Sequence, residues 1–560
     1  MTRLIYPLLV LLICLPVAVL ALRIDLPGLT SSSLLARPLA VPTGDQELAW
    51  MHTTTSGLTW ERFVTGVVRA KMLVPGLVVD ESLAFREQTT QVPEVRIAYP
   101  GRRGSLRIRW YKLSNDVGPR EWMAALAERN PPPLAVIGGA TSDRAGELAV
   151  ALREQTHWKG SSPLLLLTTA TAETIRLVDS TSIPATPGGR SEPLMSIYPQ
   201  RTFRFCFRNQ QLAEAVLDFV WQQVDLRPGI LAPLARAAAG SGLMIAAATR
   251  SWEAGAIQPP RVFMIAWQDD PFSTDLHQQF FHWLIDPKRS GLSGRNSFRN
   301  RGEVGEAVPH SEAISSWTVP FSIGGYHRPN RYEADVYELM LQKIREVPDQ
   351  RSLLIIPSVT QPARRLMSAL ADALPGLGQR LVAVTGDGIS VNAIYRDGDF
   401  AWPMHMLPIP LVLFAHHNPV AWDPPGTESA LPPSYRLTPP TSSEDVLFFS
   451  DLVRVICQGS FQLDEASDSD ALDVTGLVKS SEALAERLHR MRPPVFDADG
   501  NRLGGQGEYV VVVRPQLHRH DPGLPSGPEA ILEVWRRGPE RHWERVQQIE
   551  IDQWRVRSPS

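Results

Sequence analysis

A chain of 560 residues, 43% hydrophobic and 21% charged, is too long for one core and points to two or three domains of ordinary globular composition. Its formal net charge of −3 argues against a nucleic-acid binder, which would present a basic face. The 48 prolines gather between periodic segments, so many connections are long and extended.

The N-terminus comes first. Arg3 precedes an apolar run from Leu4 to Leu22, interrupted at Tyr6, Pro7 and Pro16. Its length is close to the roughly 20 residues that span a bilayer as a helix. It also fits a secretory signal with Val19-Leu20-Ala21 before the cut. Cys14 follows Ile13, which is too large for a lipoprotein cleavage site. Residues 1–23 are therefore a signal peptide or a membrane anchor, and either one exports the rest. Residues 24–44 have no period and many turn residues, and read as a tether.

The first folded unit, 45–209, starts with a strand at Leu48–Met51, the polar turn His52–Gly57 and a helix at about Trp60–Ala70. Leu106–Leu113 alternates as a strand, with Leu106, Ile108 and Trp110 on one face and Arg107, Arg109 and Tyr111 on the other. A helix at Glu121–Asn130 stops at three prolines. Strands at Leu134–Ile137, Pro163–Leu167 and Thr202–Phe207 alternate with helices at Asp143–Glu154, capped by Ser142, and at Gln211–Gln223. That rhythm means a parallel sheet covered on both faces.

After an alanine-rich stretch (Leu231–Ala248), the second unit, 210–374, repeats the pattern. Val262–Trp267 is too short and apolar for an exposed helix and reads as a buried strand. Asp269, Asp270 and Pro271 end it, and Ser273 or Thr274 caps a helix with Leu276, Phe280 and Leu284 inward. Such a polar loop lies at the carboxyl edge of a parallel sheet, where open α/β folds bind ligands. A polar insertion follows at Asp286–Ser316, then strands at Trp317–Ile323 and Leu353–Ile356 and helices at Arg331–Glu346 and Pro362–Leu374. Residues 375–560 carry strands at Leu381–Val384 and Pro410–Phe414 and the proline-rich Asp423–Thr441. They continue with a helix at Glu444–Cys457, boxed by Ser442 and Asp445, a turn at Val495–Arg502, and strands at Tyr509–Val513 and Ala530–Trp535.

Seven pieces in this order carry a resemblance: VIGGATSD, LLLLTTATAET, FRFCFRNQQLAEAVLDF, FMIAWQDDPFSTDL, FSIGGYHRPN, LLIIPSVTQPARRLMSAL and FDADGNR. Together they resemble the type I periplasmic binding proteins of the branched-chain amino acid class, the solute receptors of ABC importers. The resemblance implies an α/β fold of two Rossmann-like lobes with parallel sheets. Three crossing segments would join them, near 201–210, near 375–390 and late in the tail, with the ligand held between the lobes. It implies a ligand carboxylate held by backbone amides and hydroxyls at Thr141, Ser142, Thr169, Ala170 and Thr171, since a helix N-terminus carries unpaired N–H groups and partial positive charge. Phe272 takes the place of a ring that covers the ligand, and Tyr326 lies in the facing loop. Ordinary helix capping explains the same hydroxyls equally well.

One departure bears on the ligand. The second-lobe loop Gly324-Gly325-Tyr326-His327 has no carboxylate to pair with a ligand ammonium, an omission that costs several kcal/mol for a buried ammonium. Asp387, in Thr385-Gly386-Asp387-Gly388, either substitutes for it or is a simple turn aspartate. The ligand implied is thus a small polar or amino-acid-like solute, with an ABC permease as partner. No cofactor or metal is implied. Adjacent His416 and His417 point to opposite faces of an extended segment and do not suit one metal. Asp497–Asn501 reads better as a hairpin turn than as a calcium loop. No G-x-S-x-G, P-loop, H-E-x-x-H or C-x-x-C is present, so no enzyme is expected. A Cys206–Cys457 disulfide is open to the two cysteines of the folded part, but a strand and a helix favour small buried thiols. The alternative function is a membrane-tethered sensor or scaffold with the same fold and no transport role.

Overall fold

The computed structural model describes residues 36–85, 91–177, 190–230, 261–268, 270–286, 314–320, 329–346, 350–373, 380–391, 394, 409–423, 431–437, 443–461, 463, 477–504, 507–515 and 530–550. The N-terminal segment 1–23, most of the tether, the alanine-rich stretch, most of the 286–316 insertion, Tyr326 with its loop, and Ser442 lie outside them.

Two sheets form the frame. The first joins β1 (Gln46–Thr53), β2 (Val78–Leu83), β3 (Glu94–Ala98), β4 (Leu106–Leu113), β5 (Ala135–Gly138), β6 (Leu164–Leu167) and β9 (Thr202–Arg204), in the order β2-β3-β4-β1-β5-β6-β9. Strands β4, β1, β5, β6 and β9 are parallel; β2 and β3 pair antiparallel at one edge. The fully buried sequences AVIG of β5 and LLLL of β6 are what a parallel interior demands, because helices cover both faces. A small separate hairpin, β7 (Thr174–Leu177) with β8 (Arg190–Pro193), follows β6.

The second sheet runs β12 (Ile314–Pro320), β11 (Val262–Gln268), β13 (Gln350–Ile355), β14 (Leu381–Val384), β15 (Leu411–Ala415), β16 (Tyr509–Pro515), β17 (Ala530–Arg537), β18 (Trp543–Glu550), with β10 (Gly229–Ile230) paired to β13 off the main path. Its first five strands are parallel and its last three add antiparallel.

Each sheet is a layer between two cores. On the first, α1 (Gly57–Leu73), α9 (Glu444–Phe461) and α10 (Ser481–Arg490) cover one face. The other is covered by α2 (Pro119–Ala127), α3 (Ser142–Glu154) and α4 (Leu194–Ile197). On the second, α5 (Asn209–Gln222) and α6 (Pro271–Ile285) lie opposite α7 (Arg331–Arg345) and α8 (Thr360–Ala373). The molecule is therefore α/β with two doubly wound lobes.

The second crossing lies elsewhere than at 375–390. That segment carries β14, and the next strand, β15, stays beside it. Both are continuous buried apolar runs suited only to the sheet interior. The chain leaves the second lobe after β15 and enters α9, whose backbone packs against α1 at Gly66. A Cβ there would stand 2.7 Å from the Phe449 Cβ. Among the described residues after β15, α9, α10, the 495–503 turn and the short stretch 431–437, with Leu431 in the core and Tyr435 against it, pack on the first lobe. That turn bridges Phe496 to Arg502 and joins β9 through Arg204 and Asn501. The tail beyond it returns to the second lobe as β16–β18. Cys206 and Cys457 are separate buried thiols.

The polar face of β4 is not a wet one. Glu47 is fully buried and receives Arg109 at 2.6 Å and Arg129 at 2.7 Å, while the Tyr111 hydroxyl donates to it at 3.1 Å. Arg109 also reaches Glu94 at 2.6 Å. The carbonyls of Leu39 and Ala40 accept from Arg109, so the end of the tether covers this cluster.

Candidate functional site between the lobes

The five parallel strands of each sheet follow one order. By their sequence within the lobe they lie second, first, third, fourth, fifth: β4-β1-β5-β6-β9 in one and β12-β11-β13-β14-β15 in the other. Such a sheet has a switch point between its first and third strands, where successive helices leave to opposite faces and open a crevice at the carboxyl edge. In the first lobe the crevice lies between Thr53–Ser56 and Gly139–Ser142. In the second it lies between Asp270–Phe272 and Ser358–Thr360.

The two crevices face each other. Helix α6 of the second lobe lies against α3 and β7 of the first. The Asp275 carboxylate, one turn into α6, accepts the Glu173 N–H at 3.1 Å and the Asn209 side-chain N–H at 2.8 Å. Asp270 feels the charge of Asp143 across the boundary.

Local sequence chemistry sets each part. The cap of α3 is Thr141, whose hydroxyl accepts from the Arg144 N–H at 3.4 Å. Ser142 falls one place inside the helix and turns back, its oxygen accepting from the Ala172 N–H at 3.3 Å. Thr169 donates to the Ala140 carbonyl at 2.9 Å, tying the β6–β7 loop to the end of β5. Ala170 is buried, and the buried Thr171 hydroxyl makes no hydrogen bond. The Thr171 and Ala172 carbonyls accept from Arg204, at 3.4 Å and 3.0 Å, and the Asn209 N–H donates to Thr171 at 2.9 Å. In the second lobe the cap of α6 is Asp270, which accepts from the Phe272 N–H at 3.2 Å, with Pro271 preset for the first turn. Ser273 is not the cap; it accepts the Trp267 N–H at 2.8 Å. The Phe272 ring packs on Gly386 and Gly388 of its own lobe, where a Cβ at Gly388 would meet it at 2.7 Å.

Asp387 lies at the carboxyl edge of the second sheet rather than on a crossing. It is neither a free acid nor a plain turn residue, because its Oδ2 is 2.9 Å from His416 Nε2. The Glu444 carboxylate takes the His416 backbone N–H at 2.8 Å, and burial holds its pKa well above the carboxylate range. His416 stacks on Phe207 at 5.7 Å, and the Arg502 guanidinium lies over that same ring at 5.1 Å. Phe207, His416 and Arg502 come from the three crossings in turn, so the hinge is one packed stack. His417 lies half-buried beside it, and desolvation of its ring lowers its pKa to about 3.

Acidity sets the electrostatics of the boundary. Burial raises Asp143, Glu173 and Asp275, and raises Asp270 to about 6, with Asp143 adding to that shift. Sequence reasoning pointed to the hydroxyls and missed these carboxylates, together with Asn209 and Arg204. The motif FSTDL contained Asp275, but only the fold shows that it faces the other lobe. A polar cavity of about 400 Å³, lined by Arg208, Gln211, Glu214, Glu508, Arg537 and Arg541 among others, flanks the crossings. Among the described residues no group of three or more His, Cys, Asp or Glu is disposed to hold a metal ion. No helix among them is long and apolar enough to cross a membrane.

No family model matches the chain, and no curated protein matches it in sequence. Among solved structures it is similar to an ABC transporter substrate-binding protein from Desulfitobacterium hafniense. That pair shares 13% identity over 85% of this chain and 98% of the other, at a TM-score of 0.44. The branched-chain amino acid transporter substrate-binding protein LivJ from Streptococcus pneumoniae, in complex with isoleucine, shares 11% over 84% and 95%, at 0.42. A solute-binding protein of an ABC transporter from R. palustris, in complex with 4-hydroxybenzoate, shares 9% over 85% and 94%, at 0.45.

Proposed function

We propose that this chain is an extracytoplasmic two-lobe binding protein that captures a small polar or amino-acid-like solute between its lobes for an ABC-type importer. One observation carries the reading: two switch-point crevices, one per lobe, face each other across a boundary hinged by three crossings. Each crevice alone is where a doubly wound sheet binds a ligand. Opposed on a hinge, they can close on a solute from both sides. The apolar N-terminal segment agrees with export, as a cleaved signal or as an anchor.

The experiment is a thermal-shift screen of the full chain against small metabolites. A ligand that binds only the folded state raises its melting temperature by mass action. A compound that shifts the wild type, and whose shift disappears on charge reversal at the boundary (Asp270→Lys), supports the reading. No shift from any compound class at millimolar concentration refutes it.

The second reading, a membrane-tethered sensor or scaffold, is favoured by a different observation. The Ala172 and Glu173 amides are already taken by the chain's own Ser142 and Asp275.

A further inference from the structure

We propose that Asp275 is a built-in occupant of the first lobe's amide site, a latch that holds the lobes together without a solute and that an acidic solute must displace. The loop after β6 offers what a carboxylate binds, backbone N–H groups at the carboxyl edge of a parallel sheet. Here a carboxylate already occupies it. Asp275 comes from the opposite lobe, is 4% exposed, and accepts the Glu173 N–H at 3.1 Å. Its second donor is the Asn209 side chain at 2.8 Å, and Asn209 is itself fully buried.

The neighbouring Ala172 N–H and the Thr171 and Ala172 carbonyls are satisfied from within. Ser142 takes the Ala172 N–H, and Arg204 and Asn209 supply the Thr171 and Ala172 carbonyls. The loop is thus preassembled from behind by residues of its own lobe and of the first crossing, and is closed in front by one side chain of the other lobe. That side chain is the part that leaves when the lobes separate. Arg208 adds a weaker tie from the crossing to Glu173 at 3.6 Å. Against these stand Asp143 and Asp270, two acids that repel across the same boundary. A closed state held by one carboxylate against like charges is poised to open. A solute carboxylate entering the loop would compete with Asp275 for the same N–H, whereas a solute without one would leave the latch shut.

The test reads lobe separation in the full chain without any solute. Nitroxides are placed at the exposed positions Leu58→Cys in the first lobe and Leu339→Cys in the second, and their distance is measured by pulsed electron resonance. The wild-type background should give one short distance. Asp275→Ala should lengthen and broaden it, with the closed-to-open ratio falling roughly ten- to hundredfold, the scale of the one hydrogen bond to a charged group that crosses between the lobes. Excess sodium formate, which returns a carboxylate without the side chain, should restore the short distance in the variant. Sodium chloride at equal ionic strength should not.

A wild-type distance in Asp275→Ala overturns the latch. A lengthened distance that formate leaves unchanged overturns the assignment of the loop as a carboxylate site. Should the alanine variant fail to fold, Asp275→Asn keeps the volume and one acceptor, and its distance is read in the same way. The proposal rests on the two-lobe binding reading, and the two fail separately. A working latch with no solute found sinks only the binding reading, and solute binding with unchanged distances sinks only the latch.

Discussion

Replacing Glu47 by glutamine tests whether the buried charge cluster under the first sheet carries that lobe's stability. The carboxylate is fully buried, and its partners Arg109 and Arg129 have side chains only 3% and 10% exposed. Glutamine keeps the shape but removes the charge. Arg109 then retains Glu94, at 2.6 Å, whereas Arg129 keeps only the Leu39 and Pro131 carbonyls and the Tyr111 hydroxyl. An unpaired buried charge of this kind costs about 3–5 kcal/mol. At roughly 2–4 °C per kcal/mol for a lobe of this size, the first-lobe transition should fall by about 6–20 °C. Calorimetry of the full chain reads this directly, with Arg120→Ala as the control. Arg120 pairs with Glu154 in the open, their side chains 54% and 47% exposed, and its loss should move nothing. A fall of under about 2 °C for Glu47→Gln would refute the argument, because water or a shifted partner would then be neutralising Arg129.

Three further outcomes follow from the same geometry. Gly66→Ala should lower the melting temperature although alanine is the better helix former by about 1 kcal/mol. The new methyl meets Phe449 Cβ at 2.7 Å and the Val446 carbonyl at 2.9 Å, and an unchanged or raised melting temperature would mean that α9 does not pack there. Asp270 has its pKa raised from 3.8 to about 6, so the folded state holds the proton more tightly than the unfolded one. The stability from this group is full below the lower value and lost as pH rises through the upper. Asp270→Asn keeps the cap and should therefore gain melting temperature over the wild type at pH 7.5 but not at pH 4, in paired thermal scans. Thr171→Val removes a buried hydroxyl that has no partner, so stability should hold or rise by about 1 kcal/mol. A tenfold loss of affinity for a solute found in the screen would instead show that the hydroxyl meets the ligand.

The strands were legible wherever burial on both sides left a continuous apolar run. VFMIAW, LLLL and LVAV announce a parallel interior because no other place in a protein needs such segments. The helices between them were legible from their period and their proline stops. Caps were less so: Thr141 and Ser142, like Asp270 and Ser273, are adjacent or near candidates, and one residue decides which hydroxyl faces outward. Strands β2 and β18 escaped because edge strands carry mixed polar sequences such as VVDESL and WERVQQIE. The polar side of β4 alternates as a wetted face would. Only the returning tether and the matching Glu47 reveal that it is buried. The second crossing was misplaced because local pattern says what an element is, and not which of two similar sheets it joins.

The same limit governed the site. Hydroxyls next to helix starts are conspicuous in sequence, yet here they serve the backbone nearby, while the groups that meet across the boundary, Asp275 and Glu173, are 102 residues apart in the chain. Asn209 links that meeting to the hinge. Its backbone N–H holds the Thr171 carbonyl and its side chain holds Asp275, and it begins α5 immediately after the first crossing. Two residues before it, Phe207 lies in the stack with His416 and Arg502. A rotation about the three crossings therefore moves Asn209 relative to either Thr171 or Asp275. The hinge cannot open while both bonds keep their length. Asp275 also meets the Glu173 N–H of the first lobe at 3.1 Å, so in the proposed latch opening and loss of that contact are one event.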